Sequence, residues 1–487
     1  MAWRGAGRRR PGVGAVAPPD CATIARMTTT LQFLGAAGTV TGSKFLLTVN
    51  EQRVLVDCGL YQGLRELRRR NWDALAVDPR SIEHVVLTHA HVDHSGHLPR
   101  LCRDGFAGAV HATGGTADLV KILLPDSGRL QEEEADYHNR RGTSRHVPAL
   151  PLYTEEDGVR AAARVGGVRY GEPVRLTEGL SVTFARAGHI LGSAIVHLEM
   201  TGGRRVVFSG DLGRYDAPIL PDPAPIGDAD YIVVESTYGD RRHDSTPVLD
   251  QLERVMATAI GREGAIVVPA FAVGRTQELM YHLAVLRRAG RLPRLPSYLD
   301  SPMAIDATGI YRAHPEDFDD DMHALLARGR SPLEWGEFRI ARSAAESKAI
   351  NAVPGPVLIV SASGMATGGR VLHHLRERLP DPRTTVLLVG YQAVGTRGRA
   401  LEEGASTVRI FGEDVPVRAR IETVPRLSAH ADADELLRWL RTATRPPRRL
   451  FVVHGEPAAS AALAARVTRE LGWKVSVPAY RDRVTLD

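Results

Sequence analysis

The sequence predicts an α/β protein built as two domains, or as one domain carrying a large insertion. Three observations lead there. The chain has 487 residues, enough for two domains. Its first half reads as short strands separated by glycine-containing turns. Past Asp211 the strands become fully apolar and alternate with helical segments, which is the pattern of a parallel α/β domain.

The elements follow in order. Leu31–Gly35 is a short strand, followed by a turn containing Gly38 and Gly42. Ser43–Val49 and Arg53–Val56 read as a hairpin pair that ends at Asp57. His84–Thr88 is a buried strand, and a histidine cluster begins where it stops. Leu180–Ala185, Ala194–Met200 and Arg204–Ser209 are further strands with turns between them. Ile232–Glu235, Ala265–Val268 and Val357–Val360 are the apolar strands, with helices at Arg275–Arg288 and Gly369–Arg378. A last apolar strand, Leu450–Val453, ends at His454. No internal repeat or low-complexity stretch follows Met27.

Composition narrows the class. With 43% hydrophobic and 24% charged residues, the chain sits in the ordinary globular range. No apolar run approaches the roughly 18–20 residues of a membrane-spanning helix, so no membrane association is expected. The three cysteines, Cys21, Cys58 and Cys102, form no C-x-x-C pair and cannot build a disulfide framework. That pattern fits a reducing, cytoplasmic compartment. Any metal must then be held by histidine and carboxylate. The net charge of +5 says little about nucleic acid. Residues 1–26 hold Arg4, Arg8, Arg9, Arg10 and Arg26 against Asp20, a balance of +4, which leaves +1 for the rest. That segment reads as a disordered extension or a start placed too early, with Met27 the working start; a basic nucleic-acid arm is the alternative.

The chemistry concentrates in His89-Ala90-His91-Val92-Asp93-His94. His89 and His91 are two apart, so in an extended segment leaving a strand they point the same way. Asp93 and His94 follow where the chain must turn. Zinc accepts nitrogen and oxygen ligands of this kind. Four ligands in six residues do not reach one tetrahedral centre comfortably. Two centres sharing the loop solve the problem, with His89 and His91 on one and Asp93 and His94 on the other.

The run Thr88–Gly96 resembles the signature of the metallo-β-lactamase superfamily, and the rest of that pattern follows in order. Asp57, in Leu55–Gly59, is similar to its first motif, an acid that braces the metal loop. His189, in Gly188–Ser193, resembles the third, a ligand of the first metal. Asp211, in Phe208–Gly213, resembles the fourth, a carboxylate that bridges both metals. The second half resembles the β-CASP nucleases. Glu235–Gly239 is similar to their motif A, Ser428–Asp432 to motif B and Val453–Glu456 to motif C; Pro269–Glu278 and Ser361–Met365 are also similar. The resemblance runs from Met27 to the C-terminus. It is nearest the prokaryotic ribonucleases related to the endonuclease subunit of the eukaryotic cleavage and polyadenylation specificity factor.

The resemblance implies a metallo-β-lactamase αββα sandwich with an inserted α/β β-CASP domain. It places the first part of the sandwich at 28–240, the insertion at 241–420 and the return segment at 421–487. It implies two zinc ions per chain, with His454 completing the second site beside Asp93, His94 and Asp211. It makes His430 the proton donor to the leaving oxygen and Glu235 the residue that orients it. A histidine at 454 goes with RNA enzymes, whereas DNA-directed relatives carry an aliphatic residue there. The implied activity is zinc-dependent hydrolysis of RNA phosphodiesters by metal-activated water, endonucleolytic, 5′-to-3′ exonucleolytic or both. It would leave 5′-phosphate and 3′-hydroxyl ends in RNA processing or decay.

RNA contacts are expected around Ser361, Ser363, Gly364 and Gly368, where a glycine-rich turn between strand and helix can cradle phosphate. Arg275 and Arg397 are the candidate phosphate-binding side chains. The runs Arg68–Arg70 and Arg140–Arg141 read as ordinary helix faces. The oligomeric state stays open, with a homodimer as one option. A non-catalytic RNA-binding scaffold would lack ligands, and every ligand position here is filled. A DNA or small-ester hydrolase fits His454 poorly.

Overall fold

Alternation along the strands decides how the layers stack. In the strand Gln52–Val56, Val54 and Val56 face an inner core while Leu55 faces outward into a second one. The computed structural model describes residues 1–3, 29–144, 146–334 and 338–487. The readings of residues 4–26 and of Met27 as the start lie outside the described residues.

Among the described residues, two seven-stranded sheets stack face to face. The first runs Arg483–Leu486, Thr29–Phe33, Phe45–Val49, Gln52–Val56, His84–Val86, Ala109–Thr113, Val165–Val168. The second runs Val475–Ser476, Arg449–Val452, Tyr231–Val234, Arg205–Phe208, Ala194–Met200, Leu180–Arg186, Val174–Thr177. Phe33, Phe45, Val56 and Val86 of one meet Phe184, Val196, Phe208 and Phe451 of the other. Helices cover both outer faces. Leu98, Leu119 and Leu124 pack on Leu55 and Val85. Leu436, Trp439 and Leu463 pack on Ile232 and Val452. The sandwich is therefore αββα.

A third sheet of six strands is wholly parallel, in the order Arg339–Ile340, Ser297–Leu299, Val357–Ser361, Ala265–Pro269, Thr385–Leu388, Arg420–Thr423. Its central strands are apolar throughout because both faces are buried, one under Leu252, Leu279 and Leu283, the other under Leu372, Leu375 and Leu401.

Tyr231–Val234 carries the apolar pattern of the parallel domain, but it falls within the 28–240 segment that the resemblance gives to the sandwich, and it lies in the second sandwich sheet. It pairs in parallel with both Arg205–Phe208 and Arg449–Val452 and is covered by helices, so it carries the same all-apolar pattern. The helix expected from Gly369 begins at Val371, because Gly369 adopts φ +74°, outside the helical region. Among the described residues, no helix is long and apolar enough to cross a membrane.

Candidate metal centre

The sheet edges where the strands end supply the site. Gln52–Val56 ends at Asp57 and Arg449–Val452 runs out to His454; both residues hold left-handed backbones, φ +58° and φ +48°. Such conformations are uncommon without glycine and need support. The Asp57 amide donates to the Val86 carbonyl (2.9 Å), and the His454 amide to the Ala36 carbonyl (2.7 Å). His91 precedes a single helical turn, Val92–Ser95, which carries Asp93 and His94.

The side chains gather into two four-residue donor groups that share Asp211, with Glu235 and His430 forming a smaller third group on the same carboxylate. His89, His91, His189 and Asp211 form the first, and Asp93, His94, Asp211 and His454 the second. In the first group His91 Nδ1 lies 3.1 Å from His89 Nε2 and 3.2 Å from His189 Nε2. Asp211 Oδ2 is 3.5 Å from His89 Nε2 and 3.6 Å from His189 Nε2. In the second, His94 Nε2 is 3.2 Å from both His454 Nε2 and Asp211 Oδ1, and Asp93 Oδ2 is 3.5 Å from His454 Nε2. Ligands about 2.05 Å from a tetrahedral zinc stand about 3.3 Å apart, so these spacings fit. Asp211 Oδ1 and His91 Nε2 are buried without a hydrogen-bond partner among the described residues. One carboxylate thus turns one oxygen to each group.

The outward atoms of four of these rings are held; that of His91, Nε2, has no partner among the described residues. His94 Nδ1 donates to Asp57 Oδ2 (2.8 Å), which leaves Nε2 facing the second group. Thr88 Oγ1 lies 3.1 Å from His89 Nδ1 and also donates to the Asp57 carboxylate. Thr237 Oγ1 is 3.1 Å from His454 Nδ1, and the Ala429 carbonyl is 3.4 Å from His189 Nδ1. Partners of this kind fix ring orientation in metal sites. Thr88, Thr237 and Ala429 sit inside the quoted motifs, but a threonine or a backbone carbonyl carries no ligand signal of its own.

Electrostatics favour metal-ready protonation. Burial, then the nearby His94, pushes His89 well below the usual imidazole range, so it presents a lone pair. Burial would raise the Asp211 carboxyl, but His454, His94 and His89 facing it hold it well below the usual carboxylate range. His430 differs. Burial would lower it, but Glu235 and Asp211 outweigh burial and raise it. Its Nδ1 lies 3.1 Å from Glu235 Oε1, and that oxygen also accepts the Leu212 amide (2.7 Å).

The metal loop leans on Gly59. A Cβ there would lie 1.5 Å from the Asp93 carbonyl oxygen and 2.7 Å from the His94 nitrogen. Gly59→Ala must push Asp93 and His94 out of place. Overpacking of this kind costs about 1–3 kcal/mol. The variant is expected to fold with reduced metal content, as read by elemental analysis against the wild type.

The site opens into a cleft of about 3220 Å³ between the sandwich and the parallel domain. His91, Asp93, His189, Asp211, His454 and His430 border it from below. Ser363, Gly364 and Gly368 border it from the parallel domain, together with Arg397, whose Nη1 donates to the Ala366 and Thr367 carbonyls of the same turn. Two phosphate-contact expectations are corrected. Ser361 is buried and spends its hydroxyl on the Asp300 carbonyl (2.8 Å). Arg275 touches the cleft, but its guanidinium is buried against Glu278 and the Leu427 carbonyl. It holds its own helix against the turn Pro425–Leu427 instead.

A cage of seven histidine and aspartate side chains at the strand ends of an αββα sandwich defines a metal-dependent hydrolase. Comparison with known proteins agrees. Residues 38–257 match the metallo-beta-lactamase superfamily, 276–401 the Beta-Casp domain and 414–478 the Zn-dependent metallo-hydrolase RNA specificity domain. The chain is 39% identical to "Ribonuclease TTHA0252" of Thermus thermophilus, over 87% of this chain and 92% of that protein. It is 33% identical to "Transcription termination factor FttA" of Methanosarcina mazei, over 90% and 68%. It is 31% identical to an "RNase J-like protein" of Methanocaldococcus jannaschii, over 92% and 97%. A crystal structure of a protein of unknown function from Enterococcus faecalis shares the fold, with a TM-score of 0.53 at 12% identity, covering 94% of this chain and 100% of that one. The chain belongs to the β-CASP metallo-β-lactamase ribonuclease family.

Proposed function

We propose that the protein hydrolyses RNA phosphodiesters with two zinc ions, leaving 5′-phosphate and 3′-hydroxyl ends. One observation carries this reading: the two carboxylate oxygens of Asp211 face two separate donor groups. His89, His91 and His189 would hold one ion, Asp93, His94 and His454 the other, and Asp211 both. Zinc held there would supply a water nucleophile near neutral pH and would offset charge on the phosphoryl oxygens.

The chain's own groups do the rest. Asp57 and Thr88 keep His94 and His89 turned inward. His430, held by Glu235 and raised in pKa, carries the proton needed by the departing O3′. Water oxygen forms the new bond to phosphorus and gives up a proton to solvent, the P–O3′ bond breaks, O3′ takes the His430 proton, and solvent reprotonates His430. The turn with Ser363, Gly364 and Gly368 offers phosphate a place on the cleft wall, with Arg397 behind it. The sandwich is assigned to 28–240 and to the return segment, the inserted domain to 241–420 extended through the strand Arg420–Thr423 that lies in its parallel sheet, and the protein to the cytoplasm.

RNA as the substrate is supported by His454 in the motif-C position and by the names of the relatives. Side-by-side digestion of labelled RNA and DNA of one sequence tests it. RNA cleavage with little DNA cleavage is expected; equal cleavage of both would refute the preference. Labelling either end, with and without a 5′-phosphate, separates internal cuts from cuts at the 5′ end.

A further inference from the structure

Three guanidinium groups share one face of the short helix Arg65–Arg69. Positions 65, 68 and 69 are three and four residues apart, which puts them side by side. The sequence reads Arg68–Arg70 as one ordinary helix face, and the structure divides it. Arg70 packs over Tyr61 and Tyr480, 5.5 and 4.3 Å from the ring centroids. Arg65, Arg68 and Arg69 are exposed, border the cleft and make no ion pair among the described residues. Trp72 follows just past the helix, also on the cleft and 52% exposed.

The opposite lip belongs to the parallel domain. A Cβ on Gly63 would lie 2.6 Å from the Val394 carbonyl oxygen, and one on Gly395 would lie 3.0 Å from the Leu64 nitrogen. The chain ahead of the arginine helix therefore packs directly on the loop that leads into Arg397. Arg397 and Arg409 border the cleft there. Burial, then the charge of Arg68, lowers the Arg397 pKa; Glu134 offsets part of that effect. Cations from two domains thus converge on one stretch of the rim. Glu133 and Glu134 also border the cleft, so the positive field is local to the arginine stretch, where it concentrates a counter-ion.

We infer that this rim grips a single RNA strand away from the metal centre. Arg65, Arg68 and Arg69 take phosphates on one lip, Arg409 takes them on the other where Arg397 braces the turn, and Trp72 stacks a base. A single strand fits because a duplex hides the base faces that an exposed indole needs. The inference rests on the RNA reading above.

The test is steady-state cleavage of unstructured RNA across a KCl series. The variants are R65A/R68A/R69A, R68A alone, W72A and W72F, each matched to wild type in zinc content and melting temperature. In the triple variant KM is expected to rise with a smaller change in kcat. Its slope of log(1/KM) on log[KCl] should flatten by about 2, at roughly 0.7 per lost phosphate contact. R68A should flatten it by a part of that. W72A should raise KM about fivefold or more, with W72F restoring most of it. Wild-type cleavage with unchanged slopes and KM in these variants would overturn the inference alone. A wild-type protein that cleaves no RNA would overturn the reading beneath it as well.

Discussion

Asp211→Ala is expected to cut RNA cleavage by at least about 10³-fold, some 4 kcal/mol of transition-state stabilisation, while the protein stays folded. Asp211 is the one residue shared by both donor groups, with an oxygen 3.2 Å from His94 Nε2 and another 3.5 Å from His89 Nε2. Alanine leaves three donors in each group and nothing to hold the pair together. It also removes the carboxylate that faces five imidazoles, those of His89, His94, His189, His430 and His454. The fold should survive, because Asp211 stands past the end of Arg205–Phe208 and contributes nothing to the apolar layer between the sheets. Circular dichroism should match wild type, and elemental analysis should show metal lost. Full activity in the purified variant would refute the shared-carboxylate account.

His430→Ala is the second large effect, and it should differ in kind. His430 belongs to neither of the two four-residue groups; with Glu235 it forms a smaller third group on Asp211, its Nδ1 4.0 Å from Asp211 Oδ2. Its main partner is Glu235, itself fixed by the amides of Leu212 and Thr237. The variant is expected to keep its zinc and to lose about 10²–10⁴-fold in kcat, the usual contribution of a positioned general acid. A substrate with a far better leaving group than a sugar hydroxyl should recover much of that loss, since it needs no proton. Equal losses on both substrates would remove His430 from the proton-donor role.

The site was more legible in the sequence than the fold around it. Three histidines and an aspartate within six residues announce a metal loop, because composition alone rarely produces such density. His189, Asp211 and His454 are single residues with no local signal, and only their order within a family pattern marked them. The structure brings all of them within reach of the loop. Arg275 and Ser361 failed as phosphate contacts for a common reason: sequence shows a polar side chain but not which partner it has already found.

The helix Gly114–Arg141 shows what local rules conceal. It opens on two glycines and contains Pro125 and Gly128, all ordinary signals for a break. Tertiary packing overrides them. A Cβ on Gly128 would lie 2.3 Å from the Thr154 carbonyl oxygen, and one on Gly158 would lie 2.5 Å from that of Leu124. The missing side chains let Glu155–Ala162 lie close against the long helix. Likewise, an all-apolar strand signals burial on both faces, and both the sandwich and the parallel domain contain such strands. The sequence could therefore not assign Tyr231–Val234 to its sheet by pattern alone.

The central claim is that RNA cleavage depends on two metal ions held by one shared carboxylate. Titrating chelator-stripped protein with zinc, while following cleavage of a labelled RNA, tests it most directly. Activity should be absent at the start, rise with added zinc and level off at about two equivalents per chain. Undiminished cleavage by the metal-free protein, or saturation at one equivalent, would contradict the claim.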